Sequence, residues 1–190
     1  MDLTTLDPVT LGIIAVVALV VIVGLVAYAR NKRARTEALK ARYGSEYAHA
    51  VKLHGSADKA EAELRAREKR VEKLNLVALP AADAARFTQD WRAVQARFVD
   101  SPKGALVEAD RLVRELMLKR GYPMGDFEHR AADISVDHPK IVENYRQAHV
   151  IAERSRTTGA STEDMRQAVI HYRALFDELL EVAPAAQLAA

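Results

Sequence analysis

Val9 to Ala29 (VTLGIIAVVALVVIVGLVAYA) is a run of 21 residues without a charge. As a helix it is about 31 Å long, close to the thickness of a bilayer's hydrocarbon core. Arg30, Lys32, Arg33, Arg35, Lys40 and Arg42 follow at once, whereas only Asp2 and Asp7 carry charge before it. Lys and Arg gather on the cytoplasmic side of a span, so this asymmetry predicts one crossing of the plasma (inner) membrane. The N-terminus lies outside and the remainder in the cytoplasm. A cleaved signal peptide is the competing reading, and Ala27-Tyr28-Ala29 has the A-x-A form. The acidic start and the length of the run argue against it, because such segments begin basic and carry about 7–15 apolar residues. Gly12 and Gly24 lie far apart and no small-xxx-small pair occurs, so nothing favours tight helix pairing in the bilayer.

The expected organisation follows from this. Residues 1–8 form a short extracytoplasmic tail, 9–29 the span and 30–56 a basic juxtamembrane helix. Residues 57–182 form a helical bundle, and 183–190 a disordered tail. Residues 30–42 hold six Lys/Arg against one acid, Glu37, a net charge of +5. Residues 43–190 hold 22 Lys/Arg against 23 Asp/Glu, a net charge of −1. A body this near neutrality lacks the basic excess of a nucleic-acid binder. The chain has no cysteine, which excludes disulfides, thiolate catalysis and Cys-type zinc sites.

The body reads as all-α, an antiparallel bundle behind the span, with Gly and Pro between the periodic stretches and no alternating strand. Leu39, Tyr43, Tyr47 and Ala50 recur at helical spacing, so the membrane helix continues toward residue 53, with a kink or break allowed at Gly44. Ser56 is placed to cap the next helix, 57–75. There Ala57, Ala60, Leu64, Val71 and Leu74 make a thin apolar stripe that Arg67 interrupts. Glu61/Arg65 and Glu63/Arg67 are favourable i,i+4 pairs. The basic residues of 65–73 alternate with acids and lack aromatics, which reads as a solvated face. Residues 81–99 put Phe87, Trp91, Val94 and Phe98 on one side. Ser101 and Pro102 open a helix that buries Ala105, Leu106, Ala109, Leu112, Val113, Leu116 and Met117, and Gly121 follows its end. A short helix is expected near 126–134. Pro139 opens another, capped by Asp137 or His138, with Ile141, Val142, Tyr145, Ala148 and Ala152 inward. Ser161 and Asp164 form a capping pair for the last helix, which carries Met165, Val169, Tyr172, Phe176 and Leu179.

Chemistry is densest at 126–138. Asp126, Glu128, His129, Asp133, Asp137 and His138 are six potential ligands for a divalent ion, and His129 and Asp133 share a helix face. No known ligand spacing is met, however, and acids in first turns commonly cap helices. His149 and Glu153 are i,i+4 neighbours and His171 lies on a polar side. Ser56 to Lys59 matches S-x-x-K without the accompanying S-D-N and K-T-G elements, so a capping serine explains it better. No phosphate-binding loop, dinucleotide fingerprint or nucleophile elbow occurs, and no cofactor is implied.

The strings YGSEY (43–47), AELRAREKR (62–70), WRAVQARFVD (91–100), RGYPMGDFE (120–128), AADISVDHP (131–139), VENYRQAH (142–149) and HYRALFDELL (171–180) carry a resemblance. The chain resembles a family of uncharacterised bacterial proteins with one N-terminal span and a helical body. The resemblance implies a bacterial membrane protein and brings no activity, substrate or site residues.

The expected function is therefore a non-enzymatic, membrane-tethered helical domain that binds another protein, through helix 57–75, loop 121–138 or both. A metal-dependent enzyme or sensor using 126–138 is the alternative. Anionic lipid headgroups are a further potential partner of Arg30, Lys32, Arg33, Arg35, Lys40 and Arg42.

Overall fold

The computed structural model describes residues 8–180, and the expected terminal tails lie largely outside them. Eight helices occur among the described residues: α1 (Pro8–Tyr43), α2 (Ser45–His54), α3 (Ala57–Val71), α4 (Ala81–Phe98), α5 (Pro102–Lys119), α6 (Phe127–Asp137), α7 (Val142–Thr157) and α8 (Thr162–Leu179). The chain divides into two compact units, 1–42 and 43–190.

In the first unit, α1 is one unbroken helix, long and apolar enough to cross a membrane. A signal sequence would satisfy the same criterion of length and composition. From Leu11 to Tyr28 its large apolar side chains are each at least half exposed, so the protein itself gives this surface no cover. The helix ends where Gly44 takes φ 53°, the break that its sequence allowed.

In the second unit α2 and α3 form a tight antiparallel hairpin. Gly55, at φ 77°, donates its N–H to Val51 O at 2.9 Å and closes α2. Ser56 Oγ then accepts from Lys59 N and opens α3, so the S-x-x-K serine is a cap. The sequence groups α2 with a juxtamembrane segment 30–56. It packs instead against α3, within the body.

Helices α4, α5, α7 and α8 enclose the main core, with α5 and α8 at its centre. The seven α5 residues expected to be inward are all buried, as are Phe87, Trp91, Val94, Met165, Tyr172, Phe176 and Leu179. Phe98, Ile141, Ala152 and Val169 are half-buried at its edge. The Trp91 ring stacks on Phe176 with centroids 4.6 Å apart, and Phe87 meets Phe176 edge-on at 6.5 Å. Such pairs add roughly 0.5–1.5 kcal/mol beyond the area they bury. Ser161 and Asp164 complete a reciprocal capping box at the start of α8.

α6 is packed on both sides, with Ala131 to Val136 all buried. Ala131 and Ile134 join the main core, while Asp133 and Ser135 reach α3. α7 begins at Val142, three residues later than Pro139 suggested. His138 O accepts from both Ile141 N and Val142 N, so Pro139 sits in a closed turn before the helix. Neither Asp137 nor His138 caps α7. Asp137 is the last residue of α6 and His138 its C-cap, donating N–H to Ile134 O at 2.8 Å.

Gly121 ends α5 in a Schellman arrangement, with Tyr122 N on Met117 O and Gly121 N on Leu118 O, both at 3.0 Å. Its φ is 93°, and a Cβ there would lie 2.5 Å from Asn75 O. Gly159 has a similar φ of 94° but open space around it. Gly121→Ala is expected to cost at least about 2 kcal/mol, from left-handed strain plus a backbone clash. Gly159→Ala is expected to cost only the strain, about 1 kcal/mol. Chemical unfolding of the full chain measures both, and equal losses would show that the close approach to Asn75 contributes nothing.

Candidate interaction cleft

Three ions meet where α2, α3 and α7 converge. Glu46 of α2 is 1% exposed, Arg67 of α3 is 3% and Arg146 of α7 is 8%. Glu46 Oε1 accepts from Arg67 Nη1 at 2.7 Å and from Arg146 Nη2 at 3.0 Å. Arg67 Nη1 also donates to Ser135 Oγ of α6 at 3.4 Å, and its Nε to Glu63 at 3.3 Å. Arg146 Nη1 reaches Glu128 at 3.0 Å, while its Nε is buried without a partner. Two guanidiniums thus share one dry carboxylate, and the half-exposed Glu63 and exposed Glu128 balance the remaining charge from the rim.

A second row of polar contacts runs beside the cluster. Arg70 Nε donates to Asp133 Oδ1 at 2.8 Å, tying α3 to α6. Tyr47 donates its hydroxyl to Glu61 at 3.2 Å, and Tyr43 to Glu68 at 3.2 Å. Arg65 and Glu61 pair at 3.0 Å, as their spacing predicted.

Arg67 corrects the reading of 65–73 as a solvated face. The residue that interrupts the apolar stripe of α3 is buried in the densest ionic contact of the body. An arginine at a stripe position was the visible signal. Its buried partners Glu46 and Ser135 lie 21 and 68 residues away in sequence, and nothing local marks them.

Beside this cluster a cleft of about 370 Å³ opens between α2, α3 and α6. Leu53 and His54 form its α2 wall, Glu63, Arg67 and Arg70 its α3 wall, and Glu128, His129 and Ala132 its α6 wall. His54 Nε2 is buried there without a hydrogen-bond partner, while Leu53 is 60% exposed. The cleft brings together the two segments, 57–75 and 121–138, expected to carry binding.

No protein-family model matches the chain, and no curated protein or solved structure matches it significantly.

The six potential metal ligands go separate ways. Asp126 caps α6, accepting from His129 N at 2.9 Å. That bond, with the His129 ring beside it, holds its carboxyl below the usual range. Glu128 faces Arg146, Asp133 faces Arg70, Asp137 accepts from Tyr122 Oη, and His138 Nδ1 lies 3.0 Å from Glu178. Among the described residues no three His, Asp or Glu side chains converge on a metal position.

A smaller cavity of about 130 Å³ lies between α5 and α7, with Asp110, Arg114, His149 and Glu153 in its wall. Asp110 accepts from Tyr172 Oη at 2.9 Å and pairs with Arg114 at 2.9 Å. Burial and that carboxylate push the Tyr172 phenol far up. His149 lies flat on Phe127, centroids 3.6 Å apart, and burial pushes its imidazole down toward the neutral form. His171 meets Asn144 Oδ1 at 2.9 Å. These contacts hold α5, α6, α7 and α8 together.

Glu46→Gln would leave Arg67 and Arg146 facing each other across a dry site. Breaking a buried pair on one side costs about 3–5 kcal/mol, whereas an exposed pair is worth under about 1 kcal/mol. Glu46→Gln is therefore expected to lower unfolding stability several-fold more than Glu128→Gln. Denaturant titration of both variants of the full chain checks this, and equal effects would remove Glu46 from its central place.

Proposed function

We propose that this chain is a membrane-tethered helical interaction module. α1 crosses the membrane with its N-terminus outside, the body lies in the cytoplasm, and a protein partner docks at the cleft between α3 and α6. The observation that carries the reading is the bare apolar surface of α1, followed by cations on its C-terminal side alone. Such a surface needs a hydrocarbon environment, and such a flank gives it one direction.

The cleft supports the second half. Its lining carries both charge signs, two imidazoles and the exposed Leu53, which suits a polar peptide segment with one apolar anchor. The near-neutral body gives no electrostatic attraction for nucleic acid. Tethering supplies the remaining affinity, because a partner confined to the same membrane meets the cleft at a high effective concentration. A module of this kind positions its partner and needs no chemistry of its own.

A photo-crosslinking residue at Leu53, at the cleft rim, is expected to give a discrete protein adduct in cells. The same probe at Ile170, 45% exposed on α8, is expected to give none. Arg70→Glu should abolish the Leu53 adduct while leaving the protein in the membrane fraction. Identical adducts from both positions, or an adduct indifferent to Arg70→Glu, would refute docking at this cleft.

A further inference from the structure

We infer that the first two turns after the apolar run of α1 form a collar for anionic phospholipid headgroups, an inference that rests on α1 being a membrane span. Arg30, Lys32, Arg33 and Arg35 are all exposed on an unbroken helix. At about 100° per residue they fall at roughly 0°, 200°, 300° and 140° around the axis. The four cations therefore fall on all sides of the helix, with the widest gap, about 140°, between Arg30 and Arg35. A protein partner for this segment would call for charge on one face. A ring of charge fits what surrounds a span on all sides, an annulus of lipid.

The vertical placement agrees. Arg30 to Arg35 covers about 7.5 Å of helix, the depth of one headgroup layer, which is roughly 5–8 Å. Tyr28, 69% exposed at the end of the apolar run, sits at the level where amphipathic rings favour the boundary. Between Pro8 and Arg42 the sole carboxylate is Glu37, and its Oε1 lies 2.9 Å from Lys40 Nζ. Lys40 and Arg42 lie about 16 and 20 Å beyond Ala29 along the helix, about 7.5 and 10.5 Å past Arg35, so at about one physiological Debye length from the headgroups. The collar is thus confined to four residues, and the remaining two cations serve as an internal control. Orientation requires only an excess of Lys and Arg on one side. The collar adds a preference among lipids.

The test uses the full chain in vesicles, with Tyr28→Trp as the boundary probe in a Trp91→Phe background. Quenching by brominated phosphatidylglycerol is compared with quenching by brominated phosphatidylcholine. We expect the anionic lipid to be preferred about three-fold or more, since each surface Lys or Arg attracts such headgroups by a few-fold. The preference should fall to about one in the combined variant Arg30→Gln, Lys32→Gln, Arg33→Gln and Arg35→Gln, and in high salt. It should persist in Lys40→Gln with Arg42→Gln. Equal quenching by both lipids in the parent chain would overturn the collar and leave the span intact. No quenching by either would overturn the span, and the collar with it.

Discussion

Glu46 is the group on which the arrangement of the body depends. It is a single dry carboxylate that receives one guanidinium from α3 and another from α7. Burying an ion costs several kcal/mol, so the cluster gives little net stability compared with an apolar contact of the same size. Its effect is on register. The α2–α3 hairpin contributes a modest set of buried apolar residues, Tyr47, Ala50, Ala60, Leu64 and Val71, with Tyr43 from the end of α1 beside them, and none of them joins the main core. The Tyr43–Glu68 and Tyr47–Glu61 bonds hold the hairpin to itself and do not fix it on α7. A carboxylate that must meet Arg67 and Arg146 together allows one position.

That fixed position creates the cleft. Its α3 wall contains Arg67 and Arg70, the two arginines that bind α3 to α2 and α6, and its α6 wall begins at Glu128, the outer partner of Arg146. The surface proposed for docking and the ionic contact that holds the hairpin therefore share residues. A partner drawing on Arg70 or Glu128 would compete with contacts inside the body, so the proposed binding would be coupled to hairpin attachment through the same groups. The main core, in which Trp91 stacks on Phe176, contains none of those ions and forms the base.

The helical architecture was largely legible in the sequence because period and punctuation agree there. The α5 stripe from Ala105 to Met117, the capping box at Ser161 and Asp164, and the helix-ending glycines at 44 and 121 act within a turn or two, although the approach of Gly121 to Asn75 is long-range. Where the reading failed, a distant residue decided the outcome. Arg67 looked solvated because its sequence neighbours are charged, yet its environment is set by Glu46, Ser135 and Arg146. Pro139 looked like a helix start, but the carbonyl of His138 closed a turn first. The acids and histidines of 126–138 offered six potential ligands without a known spacing; Asp126 and His129 pair with each other, and Glu128, Asp133 and His138 take partners from α7, α3 and α8. The cleft follows from the same long-range contacts, so sequence could name its two segments without showing that they meet.

The proposed orientation, body in the cytoplasm behind a single span, is directly testable in this chain. It contains no cysteine, and Val99, between α4 and α5, is 83% exposed. Val99→Cys gives a single thiol on the body, to be treated with a membrane-impermeant maleimide in intact cells and again after lysis. Labelling only after lysis is the predicted result and places the cleft in the cytoplasm. Labelling of intact cells would contradict the account, moving the body and any partner of its cleft to the outer side of the membrane.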